Sequence, residues 1–298
     1  MPAALPPDAP ALVLTAGGTG TAQEAGAPEA AAEIASIIRV ENPAVDVRTA
    51  WAGDDDGTGG SPGRLPAVLA EAAATRPAGR PAAIVVPLLA LPHPGVLASI
   101  RASVAASGIS AVIATPANTS VPLAEVLHIR LAEAGLARAD RVRLFSITTA
   151  ADGVIVATAG GSEAVAAASP AAVLLAARLA LPVFAASLDG RPSVHDAAAK
   201  LRGMGARRLA IAPCFIGPEA RPGDLEAACA SAGADCAPPV GAHDKIARII
   251  ALAYGEALAG IEAGGPAAPA GPAGPFPGRG PRTSRPGGGE DTGGQEAR

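Results

Sequence analysis

Residue types suited to metal or proton chemistry are sparse in this chain, and one of them has a telling setting. His93 lies in Leu91-Pro-His-Pro-Gly95, on a loop between two prolines and not on an apolar helix face. An imidazole presented in this way can ligate a divalent metal or exchange protons near neutral pH. The plainer alternative is a loop histidine without a role, because no second ligand lies close to it in sequence. Asp54, Asp55 and Asp56 form an acidic run that suits a hard cation, or else a solvated acidic loop. Ala16-Gly-Gly-Thr-Gly20 follows an apolar run and brings bare backbone up to whatever sits above it. As a dinucleotide fingerprint it is incomplete, since after Gly18 and Gly20 the third glycine position is Gln23. The other histidines have local explanations. His128 lies between Leu127 and Ile129 in a helical pattern and reads as a packed residue. Ser193-Val-His-Asp196 reads as a capped helix start in which His195 needs no role. His243 opens the last helix as a cap. No Gly-x-Ser-x-Gly elbow, His-Glu-x-x-His or Walker loop is present.

Composition narrows the functional classes. The net charge of −4 and the 2% aromatic content leave neither a basic footprint nor stacking residues for nucleic acid. Cys214, Cys229 and Cys236 show no Cys-x-x-Cys spacing, so the chain is expected to keep them reduced, as small buried hydrophobes, in the cytoplasm. No Lys or Arg precedes Arg39, so the start lacks the charged region of a signal peptide. The long uncharged run Pro81 to Ile100 contains Pro87, Pro92 and Pro94 and reads as strand, loop and helix start, not as a membrane span.

The elements that must position these residues come twice. Leu12 to Thr15 reads as a buried strand before Ala16-Gly-Gly, and Gly153-Val-Ile-Val-Ala-Thr-Ala-Gly-Gly-Ser162 repeats it, pairing Gly17 with Gly160 and Gly18 with Gly161. Val45 to Trp51 answers Leu181 to Ser187. Ala83-Ile-Val-Val-Pro-Leu-Leu89 answers Leu209-Ala-Ile-Ala-Pro-Cys-Phe215, with Pro87 on Pro213. Val112 to Leu127 answers Cys236 to Ile250. Each half is thus expected to hold four strands, each followed by a helix, which means parallel sheets flanked by helices. The expected organisation is a disordered lead-in over 1–10, a first α/β domain over 11–136, a linker over 137–151 with an extra short strand near 142–148, a second α/β domain over 152–261, and a disordered Pro/Gly-rich tail over 262–298. In such folds ligands bind outside the carboxyl ends of the strands, so the loops after each strand are the place to look.

The order of Leu-Val-Leu-Thr-Ala-(x)-Gly-Thr, Val-Val-Pro-Leu-Leu, Arg-Pro-Ser-Val-x-Asp-Ala, Ile-Ala-Pro-Cys-Phe and Pro-Pro-Val-Gly-Ala-His, together with the duplication, resembles the CbiX-type sirohydrochlorin chelatases. These are the class II metal chelatases of cobalamin and sirohaem synthesis, here in their long, duplicated form. The similarity spans about residues 11–258. It implies two tandem flavodoxin-like domains facing a shared cleft, in which Co²⁺ or Fe²⁺ is inserted into a tetrapyrrole. It also implies a monomer, since one chain supplies both halves, with a small-molecule partner and neither nucleic acid nor membrane.

In that family one histidine follows strand 1, a second follows strand 3, and an acidic residue often follows strand 2. Here the first position falls on Gly17 (Gly160 in the other half), the second on Gly95 (Arg221 in the other half), and the acidic position on Gly53, beside Asp54. His93 is the nearest imidazole. The resemblance therefore implies His93 as the catalytic residue and, with Asp54, as metal ligand. It implies Gly17, Gly18 and Thr19 against the tetrapyrrole, and Arg64, Arg191 and Arg221 as bidentate partners for its carboxylates. The expectation is a chelatase-like protein with reduced or lost activity, and the alternative is a non-catalytic tetrapyrrole- or metal-binding protein or partner of an active enzyme.

Overall fold

Leu12, Val13 and Leu14 have no exposed surface, so β1 (Ala11–Ala16) is covered on both faces. That is why it reads as an unbroken apolar run and not as an alternation. The computed structural model describes residues 8–17, 27–52, 63–115, 119–137, 151–217, 219–221 and 223–263. Gly18, Thr19, Asp54 to Asp56, most of the lead-in, the strand expected near 142–148 and the tail from residue 264 lie outside the described residues.

After β1 come α1 (Ala27–Glu41), β2 (Val47–Trp51), α2 (Leu65–Ala74), β3 (Ala83–Pro87), α3 (Pro94–Ser107), β4 (Ala111–Ile113) and α4 (Ser120–Glu133). The second half runs β5 (Gly153–Thr158), α5 (Gly161–Leu179), β6 (Val183–Ser187), α6 (Val194–Gly203), β7 (Leu209–Pro213), α7 (Asp224–Ala232), β8 (Ala234–Cys236) and α8 (Asp244–Glu262). All pairings are parallel, in the orders β2-β1-β3-β4 and β6-β5-β7-β8. The tandem four-stranded α/β architecture expected from the repeat is the architecture of the protein.

The register corrects one detail of that repeat. Ala52 N–H donates to Ala16 O as Leu188 N–H donates to Thr158 O, and Leu88 N–H donates to Thr15 O as Cys214 N–H donates to Ala157 O. Ala16 therefore stands where Thr158 does, and the two Thr-Ala-Gly-Gly quartets are one residue out of step. The counterpart of Gly17 is Ala159, not Gly160, and Gly160 answers Gly18. A one-residue slip sends a strand side chain to the opposite face. Thr158 Oγ1 accordingly bonds Ala186 O at 3.2 Å, whereas Thr15 Oγ1 is buried without a hydrogen-bond partner.

Face parity builds the layers. Leu12, Leu14 and Ala16 point to the same central core as Val154 and Val156. Ala11 and Val13 point outward under α2 and α3, with Leu65, Leu69 and Ile100. Ile155 and Ala157 point outward with Val194 and Leu201 of α6. In the central layer the halves exchange their last helices. α4 packs on α5 and on β7 of the second half, while α8 packs on α1 and on β3 of the first. Polar ties follow the exchange. The Arg130 guanidinium of α4 donates to Val240 O at 3.0 Å and to Ala242 O at 3.2 Å. His128 Nδ1 accepts from Arg178 Nε at 2.7 Å, which makes this buried histidine a structural one, as its pattern suggested. Tyr254 Oη of α8 donates to Pro10 O at 2.8 Å, beside the start of β1.

Two readings need adjustment. Cys214 is buried, but Cys236 is exposed, because β8 is a three-residue edge strand with little to cover it. Among the described residues α5 is the one helix long and apolar enough to cross a membrane. Its Ala164, Val165, Ala168, Ala171, Ala172 and Leu175 are buried in the protein.

Because α8 covers the first sheet, damage to it must be felt across the repeat. Ile250 is 2% exposed, and Ile250→Ala is expected to cost about 2–4 kcal/mol. Hydrogen exchange at the β3 amides of the first half should accelerate more than at the β5 amides of its own half.

Candidate functional site

β3 ends at Pro87, and the chain then runs through the buried Leu88, Ala90 and Leu91 to the half-buried His93. His93 is extended (φ −128°, ψ 99°) and caps α3, its Nδ1 accepting from Val96 N–H at 3.4 Å, while Pro94 opens the helix where an N–H would have no partner. The cap settles the tautomer by geometry: Nδ1 carries the lone pair, and the neutral ring keeps its proton on Nε2. A metal-ligating histidine instead holds the ion on one nitrogen and donates its other N–H to an acceptor. Here Nδ1 faces a donor, so an ion on Nε2 must break a cap worth about 1 kcal/mol.

Two glycine turns bracket this first turn of α3. A Cβ on the buried Gly17 would lie 2.9 Å from Ala52 O and 3.0 Å from Val96 Cγ1. A Cβ on Gly160, whose φ is +106°, would lie 2.8 Å from Pro92 O and 3.2 Å from His93 Cα. The carboxyl ends of the two sheets therefore meet at His93. The family's strand-1 histidine position cannot be refilled, because at Gly17 any side chain starts against the Ala52 carbonyl. Gly95 differs, since a Cβ there would make ordinary contact with the His93 ring at 3.6 and 3.7 Å.

Asp189, beyond β6, is a site residue the motif reading missed. Its carboxylate accepts from Gly161 N–H at 3.0 Å, Gly160 N–H at 3.1 Å and Ser187 Oγ at 2.6 Å. It thus fills the anion position at the start of α5. Burial pushes its pKa up, but the bonds from Ser187, Gly161 and Gly160 outweigh this and hold it below the usual carboxylate value. So tied, it is a weak base and an occupied ligand. The repeat held the signal: Asp189 answers Gly53, one position before Asp54.

Glu219 is the second such residue. It is 6% exposed, with Oε1 accepting from Ile216 N–H at 2.9 Å and Oε2 from Gly217 N–H at 2.7 Å. Burial raises its pKa, and burial together with the Glu219 charge pushes the Cys214 thiol up to about 12, which leaves that thiol inert. A small apolar pocket lies alongside, lined by Leu89, Ala90, Leu123, Ile216, Ile246 and Ile250 from both halves.

The arginines occupy the same edge. Arg64 stands at the N-cap of α2, bridged through its backbone to Trp51. The Arg191 side chain is 88% exposed and pairs with Asp196 at 3.5 Å. Arg221 is exposed, and its carbonyl accepts from Asp224 N–H. Ser193 and Asp196 form the expected capping box, with His195 exposed, and His243 caps α8 through Lys245 N–H at 3.2 Å. Among the described residues no group of three or more His, Cys, Asp or Glu is placed to hold a metal ion.

No family model matches the chain, and neither does any curated protein. Solved structures do match. The sirohydrochlorin chelatase SirB of Bacillus subtilis subspecies spizizenii, in complex with cobalt, aligns over 85% of this chain and 97% of its own at TM-score 0.58 and 12% identity. SirB from Bacillus subtilis with Fe³⁺ aligns over 85% and 98% at TM-score 0.59 and 14% identity. A multi-domain protein of Deinococcus radiodurans, described as structurally similar to chelatases with two additional novel domains, aligns over 83% of this chain and 55% of its own at TM-score 0.52 and 14% identity. The chain has the fold of the sirohydrochlorin chelatases.

Two outcomes follow. His93→Ala should lower stability by about 1 kcal/mol, while His93→Asn keeps a capping oxygen and should stay within a few tenths of wild type; chemical denaturation distinguishes them. For Asp189 the folded state binds the proton less tightly than the unfolded chain. Its stabilisation is present above the ordinary carboxylate value of about 4 and is lost as pH falls through the lowered folded value. Thermal melts of wild type and Asp189→Asn should therefore differ near neutrality and converge in acid.

Proposed function

We propose that this protein is a sirohydrochlorin chelatase-type protein. It takes a polycarboxylate tetrapyrrole and Co²⁺ or Fe²⁺ as its substrates at the shared edge of the two sheets, and inserts the metal slowly or not at all. The observation that carries this reading is the meeting of the His93 turn with Gly160 of the opposite half, in a fold shared with SirB. Insertion needs a ligand that releases the ion and a base that takes up pyrrole protons, and neutral imidazole does both near pH 7. His93 is the proposed ligand and base, with Asp54 of the acidic run as the second proposed ligand. Its Nδ1 is already engaged as a cap, which favours binding over turnover. Gly17, Gly18 and Thr19 offer backbone to the macrocycle, and Arg64, Arg191 and Arg221 its carboxylate partners. We place the protein in the cytoplasm as a monomer, since one chain supplies both faces of the cleft.

Anaerobic titration of sirohydrochlorin, followed by addition of Co²⁺, tests this by absorbance. The expected result is a spectral shift on binding with insertion at least about 100-fold slower than SirB, the scale of a lost acid–base catalyst. Absence of a binding shift overturns the reading. A rate matching SirB that collapses in His93→Asn makes the protein an enzyme with a rearranged site. Arg191→Ala with Arg221→Ala should weaken tetrapyrrole binding, and unchanged affinity rejects the clamp. Gly95→His places a second imidazole against His93 and should tighten Co²⁺ binding by about tenfold or more, read from the d–d spectrum.

A further inference from the structure

The apolar pocket at the sheet edge has its origin in the repeat. Ala90 and Ile216 each stand three residues beyond the proline that ends a strand, Pro87 of β3 and Pro213 of β7. Those prolines pair with equivalent residues of β1 and β5, so the two loop positions correspond. Where the second half places an isoleucine, the first places an alanine, and the pocket opens beside the smaller residue. Leu123 of α4 with Ile246 and Ile250 of α8 complete the wall, all of them buried in the central core. The exchange of last helices builds the pocket, since neither half lines it alone.

Size and lining decide what it can hold. The pocket is open on one side and has room for about one methyl-sized group. Water fits by size but not by chemistry. A buried water needs about two to four polar partners, and among the described lining residues Thr119 supplies the one side-chain hydroxyl. A carboxylate arm is refused as well, because no charged side chain is among the described lining residues and an unpaired charge is costly to take out of water. An uncharged apolar substituent remains, and moving it out of water is favourable. Ala90 lies three residues before His93, a stretch of chain that spans about 10 Å at most. A macrocycle held at His93 therefore has its rim within reach of the pocket.

We propose that this pocket takes a ring methyl of the tetrapyrrole, so that Ala90 and Ile246 make the protein selective for a methylated macrocycle over an unmethylated one. The assignment rests on the chelatase-type function proposed above and names the specificity of that same site.

The test titrates the full chain with sirohydrochlorin and with uroporphyrin III, a macrocycle that has carboxylate arms but no ring methyl, and follows absorbance. Wild type should bind sirohydrochlorin about tenfold more tightly or better, the scale of one methyl in an apolar pocket. Ala90→Ile fills the pocket with the residue of the other half. It should bring sirohydrochlorin affinity down to that for uroporphyrin III and leave the latter unchanged. If Ala90→Ile fails to fold, Ile249→Phe at the half-buried mouth blocks the same space and should give the same result. Sirohydrochlorin labelled with ¹³C at its methyls should show nuclear Overhauser contacts to the Ile246 and Ile250 side chains. Equal wild-type affinity for the two macrocycles, or a preference that survives filling, overturns the proposal and leaves the chelatase-type reading standing. If wild type binds neither macrocycle, that reading falls and takes the pocket assignment with it.

Discussion

Two backbones meet at the carboxyl edge of the sheets with no room for a side chain between them. The Pro92 carbonyl and His93 Cα press on Gly160, and on the other side Val96 and the Ala52 carbonyl press on Gly17. Much else at the edge depends on that approach. It brings the α3 cap of one half to the start of α5 in the other. It also leaves the strand-1 turn of the first half without space for a histidine. Close-packed backbone does not yield as a flexible side chain does, so the site's chemistry must come from residues around the contact.

The exchange of α4 and α8 supports this arrangement from behind. Each half leaves part of its central face to be covered by the other's last helix, so neither sheet is fully covered within its own half. The apolar core accordingly runs unbroken from Leu12 and Leu14 through Leu127 and Ile250 to Val154 and Val156. Exposed ion pairs such as Arg248 with Glu41 add little to this. The buried apolar area and the bonds from Arg130, Arg178 and Tyr254 hold the halves together.

The two halves share a chain path and divide the chemistry. At the equivalent loop position the first half places an imidazole that caps a helix, and the second a carboxylate held by two backbone N–H groups of its own loop. After β6, Asp189 neutralises the start of α5, while its counterpart in the first half is Gly53. A duplicated fold can keep its layers with either residue, because the layers depend on strand parity and helix faces.

The sequence by itself determined the strands, the helices, their parallel order and the duplication, since apolar runs and glycine or proline punctuation act locally and reach the reader directly. It also foretold the caps at Ser193 and His243 and the packed role of His128. It misleads by one residue at Thr15-Ala16-Gly17-Gly18, where matching letters stand at non-matching positions, because register is set by hydrogen bonds to β2 and β3 that lie far along the chain. Only the tertiary structure decided that α4 and α8 change partners, that His93 spends its Nδ1 on Val96, and that Asp189 and Glu219 belong at the edge. Each of these depends on contacts between residues distant in sequence, and a periodicity or a motif carries no information about which distant backbone will supply the donor.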